Sequence, residues 1–332
     1  MKRMRKLWLL LLLPVVTTAS LWSWQQAPPA EIQDAKPGGY KVSVKVNMIN
    51  VPVTVRKPEG GFIKELKKDA FRIYEDGVPQ EIVLFTQERL PTRIAIVLDI
   101  SGSVQTAWGS IRHATKRFLE YLDPEDRFSL YTFNTQTRLR MDWGISRDRI
   151  DAVLGSIYCK DNTTLWDTIW AVSSTAFKGI EEKKAIIIMS DGLDNISTVS
   201  FEEALEAAIR SEAAVYIVSK TEAVRQLYLY VKSKNNIYAN IRPEVFMSAD
   251  LMLRKLARDT GGRVLYPNSF GQLDDIYEEV DEELRNQYTI GYISNNPVND
   301  GSYRQIEVRV NAPGASVSAR PGYYAPDEAS SF

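Results

Sequence analysis

Histidine and cysteine are almost missing from this chain: His113 and Cys159 are the only ones in 332 residues. A single cysteine excludes any intrachain disulfide framework. One His and one Cys cannot supply the clustered nitrogen and sulfur ligands of a zinc site within one chain. A Ser–His–Asp triad would have to recruit His113, and Ser101 lacks the G-x-S-x-G elbow. No G-x-x-x-x-G-K-[ST] loop occurs, which leaves nucleotide hydrolysis without support. Asp99-Ile100-Ser101 lacks the paired acid expected two positions after a phosphotransferase aspartate. An excess of positive charge is also absent. Lys plus Arg number 41 and Asp plus Glu 42, a formal net charge of -1, so no nucleic-acid partner is expected.

The amino terminus is rich in what the rest lacks. Lys2, Arg3, Arg5 and Lys6 precede the apolar run LWLLLLLPVV, Leu7 to Val16, and small residues follow. This is the pattern of a secretory signal peptide over residues 1–27, with cleavage positions at Ala19 or Ala27. The alternative is a retained anchor. Thr17, Thr18 and Ser20 interrupt the run before it reaches the about 20 apolar residues of a spanning helix. Either way the folded part is expected outside the cytoplasm, in the periplasm, at the cell surface or secreted. With the signal removed no transmembrane helix is expected. Residues 28–39 contain Pro and Gly and read as a flexible leader.

Three textures follow. Residues 40–90 alternate apolar and polar side chains, the period of half-buried strands, with a hairpin signal at Asp76-Gly77. They are too few strands to close a sandwich alone. Residues 91–286 switch to fully apolar strands, such as Ile94–Leu98 and Ala185–Met189, alternating with amphipathic helices. That rhythm predicts a doubly wound, mostly parallel α/β sheet covered on both faces. Residues 287–326 return to alternation, and residues 327–332 are a tail. The two β segments are expected to pair into one small sandwich-like unit around the α/β insert. A helix is expected over Ala249–Thr260, and the long polar stretch 220–247 reads as a functional or disordered loop.

Chemistry concentrates where apolar strands end. Asp99 ends one and Asp191 ends another, and Ser101 and Ser103 sit in the turn after Asp99. Ligands of open α/β sheets bind at this carboxyl edge. The set is all oxygen, the chemistry of a hard divalent cation such as Mg²⁺. Two neighbouring carboxylates call for a cation or a shared proton. Taken alone, Asp99, Ser101 and Ser103 equally suit the cap of a following helix.

The D-x-S-x-S order resembles the metal-ion-dependent adhesion site of von Willebrand factor A and integrin I domains. Asp161–Asp167, DNTTLWD, is similar to that family's second loop, and Met189–Asn195, MSDGLDN, to its third. The resemblance implies a Rossmann-like von Willebrand factor A fold. It implies metal ligands at Asp99, Ser101, Ser103, Thr163 and Asp191, with Thr164, Asp161 and Asp167 as alternative or supporting oxygens. The cofactor it implies is Mg²⁺, with Mn²⁺ or Ca²⁺ as substitutes. The partner it implies is a protein presenting Asp or Glu. The flanking segments, with DAFRIYEDGVPQEIVLF and LRNQYTIGY, look like an exported bacterial subfamily of acidobacterial type. Lys160-Asp161-Asn162 departs from the family's Gly-rich lead-in.

Together these readings predict an exported, non-catalytic, metal-dependent binding module. Two alternatives stand beside it: a structural envelope protein whose metal only fixes loops, and a metal-dependent hydrolase, for which Asp161 is the one candidate base. Asp194 reads as a turn or cap residue, Trp108 and Trp166 as core, His113 as surface or packing, and Cys159 as a small hydrophobe near the second loop.

Overall fold

In a computed structural model of the chain, the described residues are 48–88, 90–144, 146–160, 162–219 and 243–327. The signal peptide, the leader, Asp161 and residues 220–242 of the long polar stretch lie outside them. Among the described residues, no helix is long and apolar enough to cross a membrane.

The N-terminal segment supplies β1 (Met48–Arg56), β2 (Phe71–Glu75), β3 (Val78–Gln80) and β4 (Ile82–Thr86). Asp76 and Gly77 take φ of 48° and 79°, so the β2–β3 hairpin closes on two left-handed residues. That geometry matches the twist of the flanking strands and explains the Asp-Gly pair.

The α/β part then runs β5 (Thr92–Asp99), α1 (Trp108–Tyr121), β6 (Arg127–Phe133), β7 (Thr137–Met141) and α2 (Ile150–Gly155). It continues through α3 (Leu165–Thr175), β8 (Lys183–Ser190), α4 (Phe201–Arg210) and β9 (Ala214–Ser219). After the undescribed stretch come α5 (Pro243–Asp259), β10 (Val264–Leu265) and α6 (Leu273–Arg285). The strands lie in the order β10-β9-β8-β5-β6-β7, all parallel except the edge strand β7. On β5, Ile94, Ile96 and Leu98 face a core with α1, α2 and α6, while Ala95 and Val97 face α3, α4 and α5. Successive strand side chains point to opposite faces, so a strand covered on both must be apolar throughout.

The helix expected from Ala249 begins at Pro243 instead. Proline suits the first turn, where no intrahelical N–H bond is needed. Met247 and Leu251 on this helix are 66% and 65% exposed, which blurs the amphipathic period the sequence reading relied on. Helix α2, a short piece of six residues, had no expectation at all. A 3₁₀ turn, Gly102–Ala107, precedes α1.

The C-terminal segment adds β11 (Tyr288–Ile293), β12 (Tyr303–Val310), β13 (Ser316–Ala319) and β14 (Gly322–Tyr324). These interleave with the N-terminal strands in two four-stranded sheets, β13-β1-β11-β4 and β14-β12-β2-β3. Val51, Val53, Phe71, Ile73, Tyr288 and Ile290 form their shared core. Neither segment buries such a face alone, so the sandwich needs both.

Polar bonds couple sandwich and α/β part. Glu283 of α6 is buried and accepts from Thr54 Oγ1 at 3.2 Å, Arg56 Nη2 at 2.6 Å and Arg263 Nε at 2.5 Å. Gln287 donates to Tyr216 of β9 at 3.1 Å and to Thr54 at 3.3 Å. Burial, and then the Glu283 charge, push the Tyr216 hydroxyl well above its ordinary pKa, so it stays a neutral hydrogen-bonding group.

Candidate metal centre

The site sits on the carboxyl edge of the parallel sheet. Strands β5 and β8 are neighbours, with Leu98 opposite Met189, so Asp99 at the end of β5 and Asp191, one residue past the end of β8, lie at the same edge. Both are buried, at 0% and 3% exposure. Asp99 Oδ1 accepts the Ser101 amide at 2.8 Å, and Asp191 Oδ1 accepts the Leu193 amide at 3.2 Å. An aspartate that bonds the backbone two residues on turns its own chain. Each carboxylate therefore shapes the loop that follows it.

Ser101 occupies the position before the 3₁₀ turn Gly102–Ala107, yet its side chain makes no capping bond. Its hydroxyl lies 2.9 Å from that of Ser103. The capping alternative is thus not what the Ser101 hydroxyl does.

Thr163 and Thr164 precede α3 and are both buried, but they are used differently. Thr164 donates both its amide and its hydroxyl to the Asn134 carbonyl, each at 2.8 Å. Thr163 is held through its backbone. Its amide donates to Asn195 Oδ1 at 2.9 Å and its carbonyl accepts the Asn195 amide at 3.3 Å. The Thr163 hydroxyl makes no hydrogen bond to a described residue.

The third loop is tied to the second by side chains acting on backbone. Asp194 accepts the Trp166 amide at 3.1 Å, one of the first-turn donors of α3 that have no intrahelical partner. It also accepts the Ser197 amide at 3.0 Å. Asp167 Oδ1 takes the amides of Thr198 at 2.9 Å and Val199 at 2.8 Å. Gly192 lies at φ +78°, and a Cβ there would come within 2.9 Å of Leu253 on α5. The first two loops meet where Lys160 donates its amide to the Ile100 carbonyl at 2.9 Å. Asn134 spans this junction, its amide nitrogen 3.3 Å from the Lys160 carbonyl.

The sequence reading did not single out Asn134, Asn195 or Ser197. Asn134 follows the last residue of β6, and Asn195 and Ser197 lie in the loop after β8; Asn and Ser are residues that mimic backbone in turns. Trp166 is core, edge-on to Phe201 at 5.1 Å, and Trp108 packs partly buried on the other face. Cys159 is half-buried against the core, and exposed His113 meets Asp274 at 3.5 Å.

Among the described residues no group of three or more His, Cys, Asp or Glu converges. The edge instead gathers two carboxylates and three hydroxyl-bearing residues. Such a set fits a hard cation that takes oxygen ligands and keeps waters. The two carboxylates match the two charges of a dication, and the hydroxyls add none.

The von Willebrand factor type A domain model matches residues 94–279. Proximal thread matrix protein 1 from the mussel byssus, solved with zinc in its metal-ion-dependent adhesion site, is 17% identical with a TM-score of 0.42. The alignment covers 63% of this chain and 49% of that one, so the chain spans about half the length of the byssus protein. A von Willebrand factor type A protein from Catenulispora acidiphila is 13% identical, with a TM-score of 0.45 over 86% of this chain and 76% of that one. An aerotolerance-related membrane protein from Bacteroides fragilis is 13% identical, with a TM-score of 0.43 over 58% of this chain and 98% of that one. No curated protein matches the chain.

Proposed function

The chain belongs to the von Willebrand factor type A family, and from that premise we propose that it is an exported, non-catalytic binding module. In this reading Asp99, Ser101, Ser103, Thr163 and Asp191 hold one divalent cation, Mg²⁺ or Mn²⁺. The cation supplies an electrophilic position for a carboxylate of a protein partner. The chain's own residues set the loops, keep the two aspartates adjacent and limit the negative charge around the ion. Lys2 to Val16 support export.

The observation that carries this reading is the contrast between the two threonines. Thr164 has its hydroxyl bonded to the Asn134 carbonyl, whereas the Thr163 hydroxyl has no described partner. Asp167 and Asp194 hold backbone amides of a neighbouring loop, whereas Asp99 Oδ1 and Asp191 Oδ1 accept amides two residues on in their own loops. Protein hydrogen bonds already tie the three loops together. A cation is therefore not required to fix them, which favours binding over the purely structural alternative. The exposed position of His113 gives no support to a hydrolytic triad.

Calorimetric titration with Mn²⁺ tests the site. Wild type is expected to take up one ion, Asp99→Ala none, and Asp194→Ala close to the wild-type amount. Equal uptake by wild type and Asp99→Ala would overturn the assignment. Binding of a fluorescent glutamate-containing peptide in Mn²⁺, but not in EDTA or with excess acetate, tests the carboxylate step.

A further inference from the structure

Beside the cation site lies a cavity of about 230 Å³ lined by Ile100, Asn134, Arg138, Arg140, Tyr158 and Lys160, among others. Ile100 stands between Asp99 and Ser101, so one wall of the cavity is the first metal loop itself. The Lys160–Ile100 and Asn134–Lys160 bonds make its floor a crossing of both loops.

Two of the residues that line the cavity are arginines. Elsewhere on the molecule Arg56, Arg263, Arg304 and Arg320 each reach a carboxylate. Arg138 and Arg140 do not. Among the described residues, Arg138 donates to Gln136 at 3.1 Å and Arg140 to Thr132 at 2.8 Å, both neutral partners. Burial, and then the neighbouring Arg138 charge, lower the Arg140 guanidinium from its ordinary pKa. Two like charges are thus held close together without a described counter-charge.

The backbone contributes to this placement. On β7, Met141 pairs with Leu130 and Leu139 with Tyr131, so Arg140 is the extra residue of a bulge. Bulges on edge strands re-aim side chains and recur beside functional sites. Tyr158, 81% exposed, stands on the rim.

We propose that this cavity is an anion subsite for the same acidic partner segment. Arg138 and Arg140 receive a second Asp or Glu carboxylate, a few residues from the one at the cation. The proposal rests on the carboxylate-binding reading above and deepens it: the partner sequence carries two acids, not one. Guanidinium–carboxylate bonds are charge-assisted and specific in geometry. A cation site alone selects for any carboxylate, so a second charge contact at fixed distance supplies selectivity.

The test uses the full chain in saturating Mn²⁺ and fluorescent peptides. One peptide holds a single Glu among glycines, and the others hold two Glu separated by one to four glycines. The best two-Glu peptide is expected to bind about tenfold tighter than the single-Glu peptide, the effect of one charged hydrogen-bonded contact. Arg138→Glu, an exposed position, and Arg140→Gln are expected to erase that gain while Mn²⁺ uptake stays normal. A gain that survives Arg138→Glu, or no gain at any spacing, overturns the subsite. Repeating the comparison in EDTA and in Asp99→Ala separates the two readings. An arginine-dependent preference for two acids that persists there keeps the subsite and removes the cation-bridged partner.

Discussion

Replacing Gly192 by alanine strikes the third loop one residue after Asp191. Two costs add. The first is backbone strain: φ is +78°, where an L side chain loses about 1–2 kcal/mol. The second is packing. The new methyl would lie 2.9 Å from Leu253 Cγ, 3.0 Å from Leu253 Cδ1 and 3.2 Å from Ala249 Cβ. Leu253 is fully buried and cannot swing into solvent, so the overpacking adds about 1–3 kcal/mol. The expected total is about 2–5 kcal/mol. Gly179 is the matched control. Its φ is +72° and nothing lies within 4 Å of its added Cβ, so Gly179→Ala carries the backbone cost alone.

Urea unfolding of both variants, compared with wild type, isolates the packing cost as their difference. Mn²⁺ titration of both adds a functional readout. Relief of the contact has to move α5 or the third loop, so Gly192→Ala is expected to weaken ion uptake and Gly179→Ala to leave it alone. Equal destabilisation of the two variants would refute the claim that α5 packs tightly on the metal loop.

Three further outcomes follow from named contacts. Asp194→Ala removes the acceptor of the Trp166 amide and is expected to cost about 1 kcal/mol of stability, with Asp194→Asn costing less, measured by urea unfolding. Glu283→Ala strips a buried carboxylate from Thr54, Arg56 and Arg263, and its expected cost is about 3–5 kcal/mol; a loss under about 1 kcal/mol by the same measurement would show that the coupling of sandwich to α6 is not electrostatic. Thr164→Ala breaks a buried hydroxyl–carbonyl bond and is expected to lower stability by about 1 kcal/mol while sparing Mn²⁺ uptake; Thr163→Ala is expected to do the reverse, and the two variants behaving alike in both assays would erase the distinction.

The parts of this architecture that sequence reveals are those with one-dimensional signatures. The apolar run Ile94–Leu98 could only be a strand covered on both faces, and Asp76-Gly77 could only close a tight hairpin. The interleaving of N- and C-terminal strands was legible as a shortage: each segment alternated, and neither had enough strands. What escaped were features set by tertiary contacts. Pro243 starts α5 six residues before the periodic pattern begins, because an exposed face carrying Met247 and Leu251 hides the period. Asn134 and Asn195 have no period at all. Their roles arise from which loops the sheet order brings together, and that order is not local information.

The same sheet order explains why the site has so few charges. Three loops meet at one edge, and each brings backbone amides that must be satisfied on leaving strand or helix. Asp167, Asp194 and Asn195 answer that need, together with the Asn134 carbonyl. Had the loops been held only by an ion, those acids would have been free to crowd around it and neutralise it. In the proposed reading, the oxygens assigned to the ion are the carboxylates of Asp99 and Asp191, each of which also accepts a backbone amide, and the hydroxyls of Ser101, Ser103 and Thr163. A dication there would be offered two carboxylates and neutral hydroxyls, and the proposed partner carboxylate would complete its shell. At the proposed subsite Arg138 and Arg140 would extend that attraction along the edge strand, so a ligand with two acids at the right spacing would gain from both.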